Sequence, residues 1–359
     1  MTAMDFTIPA DEQELAGLVR RIAGDALTRS RLRALDDEPV RFDRPLWAAL
    51  GAADVLAADL GVLGDAAVLV ELGRLVAPVP YLASVAVAAR ALAAFGYPAL
   101  ASAAATGSLI ATVALTEDLA ACPDVPATRA ERSGADWVLT GAKAAVPYGT
   151  LADLILVPAA TAEGTQVFLV RPSDPGLSVE AQTIVDGDTE ASLDLHGVRV
   201  GSAQVLAGAE VMPWLLERYT VGLCAHQLGV LERALELTAA YAREREQFGK
   251  PIGSFQAVGQ RLADAYIDVE AVRLTTWEAA WRMASGLPAT AELATAKFWA
   301  ADAGHRVAHT AVHVHGGTGI DLDGLVHRYF VAAKRNEFAL GGASAQLRRL
   351  GTELANTPA

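Results

Sequence analysis

Arg243-Glu-Arg-Glu-Gln-Phe-Gly-Lys-Pro-Ile-Gly-Ser-Phe-Gln256 cuts a long amphipathic pattern in two. Gly249, Pro251 and Gly253 are poor helix residues, so the helix before them must stop. The break displays Arg245 and Phe248, and Ser254 is placed to N-cap the helix that follows. On both sides apolar residues recur at helical spacing. The pattern predicts helices over about 212–243, 254–285, 288–313 and 324–355, which with short connections form an antiparallel four-helix bundle. His315-Gly-Gly-Thr-Gly319 closes the third of them as a glycine C-cap turn.

Upstream of the bundle the pattern changes twice. Between about 109 and 207 the apolar runs are short, such as 109–115, 136–140, 153–157, 166–170 and 192–195, and turn residues separate them. They predict a small β domain, barrel-like or a sandwich. From 8 to about 108 the spacing is helical again, with Leu15, Leu18, Val19 and Ile22 on one face. Further helices are predicted from Trp47, over 68–76 and over 84–95, with Pro78 and Pro80 stopping the second of these. The expected architecture is therefore α+β and multidomain. It has an N-terminal α-helical domain over 1–108, a central β-barrel-like domain over 109–207 and a C-terminal four-helix bundle over 208–359.

Composition excludes several classes of function. With 52% hydrophobic residues in 359 the chain can bury several cores. A formal charge of −13 disfavours nucleic acid and anionic membrane surfaces, and obliges any nucleotide site to carry a local basic patch. Cys122 and Cys224 are the only cysteines, which fits a reducing, cytoplasmic setting better than a disulfide framework. The start, Met1-Thr-Ala-Met-Asp-Phe6, has no basic and then apolar run of a signal peptide, and the Ala-rich stretch 85–105 is interrupted by Arg90, Gly96 and Pro98.

The domain order and these motifs resemble the flavin-dependent acyl-CoA dehydrogenases over nearly the whole chain. Leu72-Gly-Arg-Leu-Val-Ala-Pro-Val-Pro80, Leu115-Thr-Glu117 and Gly141-Ala-Lys143 add to the two bundle motifs, which are the specific ones. The resemblance implies α,β-desaturation of an acyl-CoA thioester with FAD bound across a subunit interface. It assigns Arg245, Gln247, Phe248, Ile252 and Phe255 to one wall for the pyrophosphate and adenosine of a neighbouring subunit's FAD. Gly316 and Gly317 form the other wall, and His313 stands where the family usually has Gln. An Arg fork suits pyrophosphate, and glycines let backbone approach anionic oxygens.

The chain departs from the family where the chemistry should be. The family's catalytic Glu corresponds to Leu340 or Gly341 in Phe338-Ala-Leu-Gly-Gly-Ala-Ser344, so no catalytic residue is assigned. The alternative base position on the first bundle helix is Tyr219, followed by Thr220. Glu217 lies roughly 200° around the helix from it. After Leu115-Thr-Glu117 a Gly- and Ser-rich turn is replaced by Asp118-Leu-Ala-Ala-Cys-Pro123. After Lys143 the flavin-packing Trp and Thr or Ser are replaced within Ala144-Ala-Val-Pro-Tyr148. The resemblance thus implies a subunit of a heterotetramer that completes a homologous partner's FAD site, as in actinobacterial sterol side-chain degradation. The alternatives are a self-sufficient homotetramer with a displaced base such as Glu217, and a flavin-free scaffold of the same fold.

Other constellations carry less. His305, His309 and His313 are spaced i, i+4, i+8 without an acid or thiol to complete a metal set, so no metal site is assigned. Cys224 is expected as a buried thiol. Arg328, Arg335, Arg348 and Arg349 give the last helix a basic character suited to solvent, an acidic partner or a phosphate.

Overall fold

The computed structural model describes residues 7–118 and 125–356. Residues 119–123 of the replaced turn, Cys122 among them, lie outside that range, as do Met1-Thr-Ala-Met-Asp-Phe6. Helix α1 (Ala10–Ala26) opens with Asp11 and Glu12 in its first turn, where carboxylates oppose the helix dipole. Next comes α2 (Arg29–Asp36), N-capped by Thr28, which accepts from the Arg31 N–H. Asp43 caps α3 (Arg44–Ala52) in the same way through the Leu46 N–H. Helix α4 (Gly61–Arg74) begins before the expected Val68. A π-helical segment, Tyr81–Ala89, leads into α5 (Arg90–Ala94), and α6 (Pro98–Ala105) follows with proline at its start.

The β region forms one mixed sheet. Its strands are β1 (Ala111–Val113), β2 (Arg129–Ser133), β3 (Asp136–Pro147), β4 (Leu154–Thr161), β5 (Gly164–Val170), β6 (Leu177–Thr183), β7 (Thr189–Gly201) and β8 (Val205–Leu206). The order is β6-β7-β3-β2-β4-β5-β8, with β1 added parallel to β4. Strands β3, β4, β5 and β7 turn Trp137, Leu139, Val157, Phe168, Val170, Leu193 and Val198 into one core. Trp137 and Phe168 meet edge to face at 5.5 Å although two strands separate β3 from β5, so the sheet curls over its own core.

The C-terminal helices are α7 (Val211–Glu244), α8 (Gln256–Ala284), α9 (Thr290–His315), α10 (Val326–Phe338) and α11 (Ala343–Asn356). Two expectations need correction. The fourth bundle helix is two helices, because Leu340 (φ 55°) and Gly341 (φ 90°) leave the helical region. Ser254 does not cap α8: its hydroxyl donates back to the Pro251 carbonyl at 2.7 Å, and Phe255 occupies the N-cap position. Between α7 and α8 lie two short strands, β9 (Glu246–Gln247) and β10 (Lys250–Pro251), paired antiparallel.

By contact density the chain divides into two compact units. One holds residues 1–37, 59–77 and 220–359, the other 38–58 and 78–219, so the N-terminal helices contribute to both. In the first unit α4 and α7 approach backbone to backbone. A Cβ on Gly229 would overlap the Val70 carbonyl, and one on Gly73 that of His226. A polar knot ties the bundle. Gln227 donates to the Ala300 and Ala333 carbonyls (3.1 and 3.3 Å) and accepts from Asn336 at 2.8 Å, so this buried amide is satisfied by α9 and α10. Arg328, expected as exposed positive charge, is buried against Asp36 in a bidentate pair of 2.8 and 2.5 Å.

Candidate functional site

The Arg245 segment is a two-residue β-hairpin. Lys250 pairs with Gln247 and Pro251 with Glu246, and the Ile252 N–H donates to the Arg245 carbonyl at 2.8 Å. The loop is Phe248-Gly249, with φ of 54° and 77°. Positive φ at both central residues is the mark of a type I′ turn, whose first position favours Asn or Gly. A phenylalanine there is backbone strain, and its side chain is 93% exposed. It meets Phe255 edge to face at 6.1 Å.

Pairing decides which side chains share a face. Opposed residues in an antiparallel ladder point the same way, as do residues two apart on one strand. Arg245, Gln247, Lys250 and Ile252 therefore share one face, and Glu246 and Pro251 take the other. The Arg245 guanidinium makes no hydrogen bond or ion pair among the described residues although it lies between Glu244 and Glu246.

The second motif lies close by. Tyr241, in the last turn of α7, stacks on His315 at 4.3 Å between ring centroids, which joins the exits of α7 and α9. The His315 ring, lowered in pKa by burial, donates its Nδ1–H to the Ala311 carbonyl at 2.8 Å. The sequence pattern did not single out Tyr241; its signal was an aromatic one turn before the break. Gly316 has φ 63° and ψ −139°, open only to glycine, and its N–H caps α9 on the His313 and Val312 carbonyls. A Cβ on Gly316 or Gly317 would meet nothing within 4 Å, so this turn borders open space. His313 is exposed beside it. The structure thus places Arg245, Gln247, Phe248, Ile252 and Phe255 on one hairpin and its exit, with His313, Gly316 and Gly317 at the adjoining helix end.

The two positions that the family resemblance assigns to the base, Leu340 and Gly341, carry no carboxylate. Leu340 is buried, and its carbonyl accepts from Gln346 Nε2 at 2.9 Å. Gly341 sits at φ 90°, where a Cβ would lie 3.0 Å from that of Ala345. The nearest carboxylate in sequence, Glu337, is tied to Lys334 at 2.5 Å and faces His305 at 3.3 Å. Tyr219 is half-buried and Thr220 buried. Glu217 is half-buried, and burial raises its carboxyl pKa.

In the β region Glu117 and Lys143 meet at 2.7 Å, both buried. The Glu117 carboxylate also accepts from Ala127 N (2.6 Å), Thr128 N (3.0 Å) and Thr128 Oγ1 (2.7 Å). Burial pushes its pKa up, but Lys143 and the Thr128 and Ala127 donors outweigh that and hold it at about 2. Directly after Lys143 the β3–β7 register slips, and the bulge carries Ala145 at φ 49°. The Ala145 N–H is taken by Gln182 Oε1 at 2.7 Å. Pro147 has no N–H, and the buried Tyr148 packs edge to face on Phe42. Among the described residues, no group of three His, Cys, Asp or Glu, His305, His309 and His313 included, is placed to hold an ion. No helix among the described residues is long and apolar enough to cross a membrane.

Helices, a curled sheet and a bundle broken by an Arg-bearing hairpin define the acyl-CoA dehydrogenase fold. Residues 207–355 match the family model for the acyl-CoA dehydrogenase C-terminal domain. Acyl-CoA dehydrogenase FadE27 of Mycobacterium tuberculosis is 50% identical over 99% of this chain and 100% of its own length. One chain of the ChsE4-ChsE5 complex from Mycobacterium tuberculosis superposes with a TM-score of 0.96 at 50% identity, covering 99% of this chain and 100% of that one. A variant of the Tcur3481-Tcur3483 steroid ACAD superposes with a TM-score of 0.91 at 38% identity, covering 98% and 99%. The chain belongs to the acyl-CoA dehydrogenase family, oxidoreductases acting on CH–CH bonds.

Proposed function

We propose that this chain is the non-catalytic half of a heterotetrameric, FAD-dependent acyl-CoA dehydrogenase, completing the FAD site of a homologous partner that carries the base. The observation behind this reading is a contrast within one bundle: an outward, unpaired Arg245 hairpin beside Leu340 and Gly341, which take no proton. When bound, FAD would supply a hydride acceptor for the β carbon of the thioester. This chain's residues fit the dinucleotide's phosphates and adenosine. Arg245 offers a free fork to the pyrophosphate, Phe248 and Phe255 offer ring surface, and Gly316 and Gly317 offer backbone in open space. The partnership of the ChsE4-ChsE5 and Tcur3481-Tcur3483 proteins supports a heteromer, and the likeness to the Tcur3481-Tcur3483 steroid ACAD supports a bulky sterol-type thioester.

The test is a visible absorption spectrum of the chain purified alone and after co-expression with the product of the neighbouring gene. The reading expects no flavin in the chain alone and one FAD per two chains in the complex. One FAD per chain in the protein alone would overturn it. That result would favour a self-sufficient homotetramer, for which the half-buried Glu217, raised in pKa, is the one observation in hand.

A further inference from the structure

We infer that Lys250 is a second phosphate-binding cation of the hairpin, working with Arg245 on the same face. This rests on the half-site reading and adds to it a residue that neither the motif nor the family resemblance assigned. The argument starts from charge. A dinucleotide's pyrophosphate brings two negative charges to a chain whose formal charge is −13. Arg245 balances one of them and has Glu244 and Glu246 as its neighbours in sequence. A second cation on the same surface would balance the other.

Register selects it. Arg243 precedes Arg245 by two residues at the end of α7, which turns it roughly 200° away. Lys250 is opposed to Gln247 in the ladder, and Gln247 is two residues from Arg245, so all three side chains leave the hairpin on one side. The same alternation sends Glu246 to the opposite side. Lys250 is exposed and makes no ion pair among the described residues. Its Nζ sits 4.4 Å over the Phe255 ring. That contact holds the ammonium next to the aromatic surface proposed for the adenosine, and a cation–π contact at an exposed site is weak enough to give way to a phosphate. The stem is long enough to rotate from ring to anion without moving the backbone.

The experiment uses the co-expressed complex and reads FAD affinity by flavin release on dilution, in low and high potassium chloride. Lys250→Met keeps the apolar stem over Phe255 and removes the charge; Lys250→Arg keeps the charge. The expected result for K250M is a roughly tenfold higher Kd for FAD at low salt, with a weaker salt dependence than the unaltered complex. K250R should stay within about threefold of the unaltered complex, since the cation is kept. A lysine that only packs on Phe255 predicts K250M indistinguishable from the unaltered complex in Kd and salt dependence, and that result would overturn the inference. Arg245→Ala in the same complex separates the two levels. If R245A sheds FAD and K250M does not, Lys250 alone is wrongly assigned. If R245A keeps its FAD, the half-site reading fails and the inference with it.

Discussion

Phe248 combines an unfavourable conformation with an exposed apolar ring. Its φ of 54° is one that Asn or Gly adopts readily, and its ring is almost wholly exposed. Stability alone would choose neither. A side chain kept in a strained turn and away from any core is explained by a ligand that covers it. Phe248→Asn should therefore leave the fold intact and raise stability by up to about 1 kcal/mol, since Asn-Gly is the preferred I′ pair. The same variant should weaken FAD retention in the complex. Thermal unfolding and flavin content of one preparation check both halves, and a variant that loses stability while keeping flavin would show that the ring serves the fold. The motif made this residue legible in the sequence. The turn was not legible, because Phe-Gly is not a pair from which a I′ hairpin is read.

At the scale of elements, long-range periodicity made the bundle helices legible, and their residues do form α7, α8 and α9 within a few positions of the expected ends. Strand β2 has only Ala130 buried among exposed polar residues, which leaves no alternation to read, whereas β6 does alternate apolar and polar residues but half-buries only Leu177, Val179 and Gln182, a weaker signal than that of the core strands. The split of the last helix was missed for another reason. Leu340-Gly-Gly342 lies inside an apolar pattern that runs on at helical spacing, which hides a C-terminal stop. What holds that stop is a buried lysine from another helix. Lys297, with no exposed surface, donates to the Asn336 and Glu337 carbonyls at 3.1 Å each, satisfying orphan acceptors at the end of α10. Burial lowers its pKa to about 8, against smaller upward pulls from Cys224 and Glu337. The sign follows from linkage: above pH 8 the folded chain releases this proton while the unfolded chain keeps it up to about 10.5, so stability rises with pH across that window on this group's account. Urea unfolding at pH 8 and pH 10 should show that increment in the native chain and lose it in Lys297→Met. An unchanged pH slope in the variant would assign the increment to other groups.

For the whole molecule, the positions at which this chain departs from the family pattern lie far apart in sequence. Leu340 and Gly341 close the base position in one unit, while Ala145, with its N–H spent on Gln182, and Pro147, with none, lie in the other. On the half-site reading, a single missing carboxylate could be replaced by one substitution, whereas donors missing at Ala145 and Pro147 as well could not. The buried Glu117–Lys143 pair of the same unit is meanwhile hydrogen-bonded by Thr128 and Ala127, so the β region keeps its polar anchor. On the proposed half-site reading, this pattern fits a chain specialised as half of a site better than one that lost a single residue. Leu340→Glu should accordingly restore nothing: the variant made alone should remain colourless and show no thioester-dependent reduction of an electron acceptor. Placing a carboxylate in that buried site at positive φ should also cost stability by about 2–4 kcal/mol. The native chain's melting curve beside the variant's checks the cost, and flavin absorbance with dehydrogenation by the variant alone would refute the specialisation, because one side chain would then have sufficed.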